Sequence, residues 1–154
     1  MLTHYSFQEI SEEFRARVAE FERLRHAEEE SDVTSDVKRV MADTVVSDSF
    51  EYPHVMVVVA DLVEGRFLRF NQAMCDILGY SERELLEVSF LDRVHPEDRM
   101  RTMLEMERLA AGEPTHSFRN RYLDANGTYR VFEWTAIADE SREMCYAMAV
   151  EVTE

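Results

Sequence analysis

Few residues in this chain have types and spacing suited to chemistry. His95 and Asp98 lie in Val94-His95-Pro96-Glu97-Asp98, and a histidine beside a carboxylate is the raw material of a general acid/base dyad. Pro96 falls at an N1-like position before a helical pattern, so capping explains both residues without catalysis. Met100, Met103 and Met106 offer thioethers along one helix, but Met at such spacing more often fills a core. Cys75 and Cys145 are far apart in sequence and flanked by apolar residues, the pattern of buried thiols rather than of a disulfide. There is no nucleophile elbow, phosphate-binding glycine loop or Cys/His cluster with metal-ligand spacing. The sequence therefore nominates no catalytic residue and no metal ligand, and an enzyme is not expected.

Charge narrows the partners. The 154 residues carry 32 acidic against 17 basic side chains, a net charge of -15. Phosphate neutralisation needs clustered Lys and Arg, so nucleic acid is not an expected partner, and neither is an anionic membrane surface. No apolar run approaches the roughly 20 residues that span a bilayer. The start, MLTHYSFQEISEEF, lacks the basic and apolar regions of a signal peptide, so a cytoplasmic location is expected.

The elements that position these residues fall into two units. Residues 1–50 form a helical arm, and residues 51–154 a mixed α/β domain. In the arm, Ser6 and Glu9 make a capping-box pattern that opens a helix over about 6–28. Phe7, Ile10, Phe14, Val18, Phe21 and Leu24 follow at 3–4 spacing, with Arg17 interrupting a strict heptad seam. Such a stripe either pairs with its copy, making Phe7, Ile10, Phe14, Phe21 and Leu24 dimer candidates, or folds back onto the following domain. A short second helix is expected over about 36–47.

In the domain, 54–62 and 66–70 read as strands. Asn71 is placed to cap a short helix that Gly79 ends, and Ser81 with Glu84 forms a second capping box. A helix over 97–111 stops at Gly112 and Pro114. Asn126–Gly127 is a strong hairpin signal between strands 116–123 and 128–138, and a last strand covers 144–152. The order β-β-α-α-α-β-β-β predicts an α+β fold: a five-stranded antiparallel sheet with short helices on one face.

This order resembles the PAS family of sensory modules in bacterial or archaeal signalling proteins. Asn71, Gly79-Tyr80-Ser81 and Glu84-Leu85 look like its "N…lGYs…eL" segment, and 94–98 like its "vHPdD". Arg121 with Asp124–Gly127 resembles "R…kdG". Trp134 fits the aromatic of the next strand, and Glu151-Val152-Thr153-Glu154 resembles the closing "DIT" motif, with Glu for Asp. Each piece is weak alone; five in order are specific.

The resemblance implies a sensor or signal-relay role and a cavity between sheet and helices. Strand alternation nominates Phe118, Asn120, Tyr122, Phe132, Trp134, Tyr146 and Met148 as its walls, with Met74, Ile77, Leu78, Met103 and Met106 from the helices. A filled core with no ligand is the competing reading. Flavin photosensors of this fold carry an NCRFL motif, whereas 88–91 here reads Val-Ser-Phe-Leu, which argues against covalent flavin photochemistry. Helix 97–111 has no His, which argues against haem. The cofactor is otherwise open: noncovalent flavin, a small metabolite or none. Glu151, Val152 and Thr153 are the expected signal exit, leading to an effector such as a histidine kinase or diguanylate cyclase that is absent from this chain. A homodimer is expected, and a ligand-free dimerisation module is the alternative.

Overall fold

In the computed structural model, residues 54–153 are described, together with Ala16. The remainder of the arm, with its dimer candidates and second helix, lies outside the described residues. Five strands form one antiparallel sheet: β1 (Val55–Asp61), β2 (Arg66–Phe70), β3 (Thr115–Leu123), β4 (Tyr129–Ala138) and β5 (Met144–Glu151). Their order across the sheet is β2-β1-β5-β4-β3, with β5 at the centre. Between β2 and β3 run α1 (Gln72–Leu78), α2 (Glu82–Glu87), two 3₁₀ turns (Phe90–Arg93 and Pro96–Asp98) and α3 (Arg99–Ala110). The expected element order and fold class hold. The helix expected over 97–111 divides into a 3₁₀ turn and α3.

Local chemistry explains these elements. Ser81 and Glu84 complete a reciprocal capping box at α2. Gly79 takes φ 84°, a left-handed conformation that ends α1 at low steric cost. His95 caps the second 3₁₀ turn, its Nδ1 accepting from the Glu97 amide at 3.0 Å. In the hairpin, Asp124 Oδ1 accepts from the amides of Asn126 and Thr128, both at 2.9 Å.

Asn71 departs from expectation. It precedes α1, but its side chain makes no helix-cap hydrogen bond. Instead Oδ1 accepts from the Val57 amide at 3.1 Å, and Nδ2 donates to the Val55 carbonyl at 2.8 Å. A buried amide thereby extends the β1–β2 ladder past the end of β2.

Two bulges set which side chains face the helices. A register shift between Val59 and Ala60 turns both Phe67 and Phe70 into the core. A second, between Thr115 and Phe118 with Ser117 at φ 54°, lets Thr115 face inward with Phe118, Asn120 and Tyr122. The inner core gathers Met56, Val58, Phe67, Phe70, Met74, Leu78, Leu85, Phe90, Val94 and Phe132 around the helices.

The sheet is apolar on both faces. Along β5, Cys145, Ala147 and Ala149 point to the helices. Met144, Tyr146, Met148 and Val150 alternate with them onto the opposite face. Tyr146 and Met148, expected as cavity walls, thus lie on the other side of the sheet. The large residues of β5 turn outward and its small ones turn inward, which leaves space beneath the sheet.

Candidate functional site

That space is a cavity of about 70 Å³. Its floor is Val58, Ala60, Ala136, Cys145 and Ala147, and α3 closes it with Thr102, Glu105, Met106 and Leu109. Phe67, Phe90, Val94, Phe118, Tyr122 and Trp134 complete its walls. Four inward residues of the central strands have short side chains, and this absence of bulk makes the void.

Of the twelve expected wall residues, Met106, Phe118, Asn120, Tyr122 and Trp134 line the cavity. Met74, Ile77 and Leu78 belong to α1 and pack in the core away from the lining. Phe132 is fully buried but also outside the lining. Met103 points to solvent with 43% of its surface exposed, in an apolar stripe with Met100 and Leu104. Glu105, Thr102, Thr115, Ala147 and Cys145 line it without having been nominated. A scan for aromatic walls overlooks them, although small residues alternating along β5 are the sequence signature of a void.

Three polar residues of the cavity, Trp134, Asn120 and Thr102, form one chain. Trp134 Nε1 donates to Asn120 Oδ1 at 2.9 Å, and Asn120 Nδ2 donates to Thr102 Oγ1 at 3.3 Å. Thr102 Oγ1 in turn donates to the Asp98 carbonyl at 2.8 Å. The Asp98 carboxylate accepts from the Arg121 amide, Nε and Nη2 at 2.8, 3.0 and 2.8 Å. These hydrogen bonds hold the Asp98 carboxyl below its ordinary range. The network joins β4, β3 and the start of α3. Glu105 is the one charged residue in the lining; it accepts from Thr115 Oγ1 at 2.6 Å and pairs with Arg108 at 2.8 Å.

Burial favours the neutral forms of two lining side chains, Cys145 and Tyr122. Burial pushes the Cys145 thiol up to about 12, so the sulfur stays protonated and behaves as an apolar wall. Burial also raises the Tyr122 hydroxyl, which donates to the Phe90 carbonyl at 2.9 Å. His95 and Asp98 turn to different partners: the His95 ring lies 4.5 Å from that of Tyr129, and Asp98 faces Arg121.

The end of β5 and the residue after it are anchored. Arg130 pairs with Glu151 at 2.6 Å and also donates to the Ile77 carbonyl at the end of α1. The Val152 amide donates to Val131 at 2.9 Å. At the same end of the sheet Val55 is register partner to Val150, so chain entry and exit run side by side.

Comparison with known proteins agrees with this architecture. Residues 67–150 match the model of the PAS fold family. Over 87 residues the chain is 33% identical to the probable diguanylate cyclase DgcE of Escherichia coli K12, a match covering 56% of this chain and 8% of that much longer protein. A domain of a sensory box histidine kinase/response regulator from Geobacter sulfurreducens superposes with TM-score 0.55 at 22% identity, covering 62% of this chain and 82% of that one. The PAS domain of an HTR-like protein from Haloarcula marismortui gives TM-score 0.55 at 22% identity over 64% and 81%. No described helix is long and apolar enough to cross a membrane. With its five-stranded sheet, its helices on the inner face and more than half its length matching the family model, the chain belongs to the PAS fold family.

Proposed function

We propose that this domain is a non-catalytic sensor whose cavity admits a small neutral molecule and whose state is read at Glu151–Thr153 by an effector of the histidine kinase or diguanylate cyclase type. The carrying observation is the largely apolar space beside one polar chain, Trp134–Asn120–Thr102. Ligand sites combine apolar walls with a few placed polar groups in this way. At about 70 Å³ the cavity is well short of the ~300 Å³ at which drug-sized sites begin. A flavin or haem would require the helices to move apart, so the favoured ligand has a handful of heavy atoms and one hydrogen-bonding group.

The relay follows from the same contacts. A ligand that competes for Asn120 or Thr102 shifts α3 against β3, and the sheet carries that shift through β4 to Arg130 and Glu151. Such coupling requires that the ligand bind the two arrangements with different affinity. Trp134 is the sole tryptophan of the chain, so its fluorescence reports on the cavity directly. Titration with 1-propanol, 1-butanol and propionamide should give a saturable change in emission. Replacing Ala136 with Leu should abolish it. A linear, unsaturable response in both proteins would remove the cavity from the account.

A second reading has its own observation. Met100, Met103 and Leu104 expose an apolar stripe on α3 between Arg and Glu neighbours, which suits contact with a second copy of this chain in a ligand-free homodimer. Sedimentation of Leu104→Glu tests it: an unchanged mass excludes this face.

A further inference from the structure

The polar hydrogens of the cavity are almost all spent within the protein. The Trp134 indole N–H goes to Asn120 Oδ1 at 2.9 Å. An indole nitrogen can only donate, so this bond fixes which end of the Asn120 amide is which. Asn120 Nδ2 then donates to Thr102 Oγ1 at 3.3 Å, and Thr102 spends its single O–H on the Asp98 carbonyl at 2.8 Å. The Thr115 hydroxyl goes to Glu105 Oε2 at 2.6 Å, and the Tyr122 hydroxyl to the Phe90 carbonyl at 2.9 Å. What the lining keeps is acceptor capacity: lone pairs on Thr102, Thr115, Tyr122 and the Glu105 carboxylate. Among the described lining residues, the second N–H of Asn120 and the weakly donating Cys145 thiol are the polar hydrogens left over.

Burial locates the way in. Of the lining residues, Glu105, Met106, Phe118 and Trp134 are half-buried and all the others are buried. Phe118 and Trp134 are register partners on β3 and β4. The cavity therefore meets the surface between α3 and this aromatic pair, with the Glu105 carboxylate at the mouth.

We infer that the cavity selects a hydrogen-bond donor, an alcohol or a primary amide, over an ether or a carboxylate of the same size, and that Glu105 sets this choice. The inference rests on the reading that the cavity binds a small molecule. A ligand O–H or N–H finds lone pairs on Glu105 and Thr115. An ether oxygen or a carboxylate brings lone pairs to lone pairs and has little but the Asn120 N–H to accept from. A buried acceptor left unpaired forfeits its hydration, and a site built to bond a hydroxyl rejects the analogue that lacks it. A carboxylate also meets like charge. Arg108 is shared between Glu105 at 2.8 Å and Glu113 at 2.9 Å, so one guanidinium answers two carboxylates. Arg101, 5.2 Å over the Phe118 ring, is taken up by the Asp98 carboxylate and the Arg119 carbonyl and is not in the lining.

Two matched pairs of probes test this at pH 7, read by Trp134 emission. The isomers 1-butanol and methyl propyl ether differ in the hydroxyl hydrogen. Propionamide and propionate differ in an amide donor against a charged acceptor. The native protein should bind the first of each pair about 10-fold more tightly than the second, as one lost hydrogen bond implies. Glu105→Gln keeps an oxygen for Thr115 but removes the charge and turns one acceptor into a donor. It should bring propionate towards parity with propionamide and leave 1-butanol within about twofold of native, a hydrogen bond to Thr115 being retained. A merely structural role for Glu105 would weaken all four probes together and leave the ratios unaltered, which would overturn its assignment. Equal binding of 1-butanol and its ether isomer by the native protein would overturn the donor preference without recourse to any variant. Saturation by all four probes alike spares the ligand-site reading and sinks this inference alone, whereas saturation by none contradicts both.

Discussion

The cavity makes an unusual prediction about alanines. Ala147 and Ala149 are neighbours on the inner face of the same central strand, both buried. Ala147 borders the cavity, beside Val58 and Ala136; Ala149 does not, and it sits between Met56 and Trp134. Changing Ala147 to Val adds two carbon groups to empty space. At ~0.8 kcal/mol for each buried CH₂ the gain is ~1.6 kcal/mol. Side-chain ordering and imperfect fit leave about 1 kcal/mol, a rise in Tm of roughly 4 °C for a domain of this size. The same change at Ala149 meets packed neighbours and should cost ~1–3 kcal/mol, as overpacking does. Urea unfolding followed by circular dichroism measures both. If Ala147→Val destabilises as much as Ala149→Val, the space beneath β5 does not exist in solution and the cavity argument fails.

Further predictions rest on single contacts. Asn71→Ala removes both side-chain bonds to β1 and strands a buried amide and carbonyl, so it should cost about 2–3 kcal/mol in urea unfolding; a loss under 0.5 kcal/mol would refute the ladder role. Asn120→Ala leaves the Trp134 indole donor without its acceptor and should cost ~1–3 kcal/mol, with a shift in Trp134 emission; an unchanged spectrum would contradict the polar chain. Asp98 links stability to pH. Its folded carboxyl is held below the ordinary value, so its contribution is complete above about pH 4 and is lost as pH falls through the depressed folded value. Asp98→Asn should therefore flatten the acid limb of the stability curve, and an identical acid limb in both proteins would refute this.

The fold was legible wherever local chemistry is unambiguous. The Asn126–Gly127 hairpin, the Ser81–Glu84 box and Gly79 each fix a turn or an end without reference to distant residues. Part of the cavity lining was legible for a similar reason: Phe118, Asn120 and Tyr122 alternate on a strand whose other side is largely polar. β5 gave no such guide. It is buried on both faces, so alternation shows two sets of residues but not which set meets the helices. Helix phase misled at Met103, because α3 is short and amphipathic only weakly. Its buried residues are Thr102 and Leu109, while Met100, Met103 and Leu104 face solvent. The Asn71 role was hidden because an Asn before a helix ordinarily caps it, whereas here the tertiary partner in β1 takes the side chain. The Asp98–Arg121 pair was present as two residues of the quoted motifs, and only the fold places them 2.8 Å apart.

Native mass spectrometry of the purified chain beside Ala136→Leu tests most directly whether the cavity serves as a ligand site. The account predicts a small added mass in the native protein, either copurified or supplied as 1-butanol, that Ala136→Leu loses while remaining folded. Bare mass in both proteins under all these conditions would contradict it and leave a filled, ligand-free relay module.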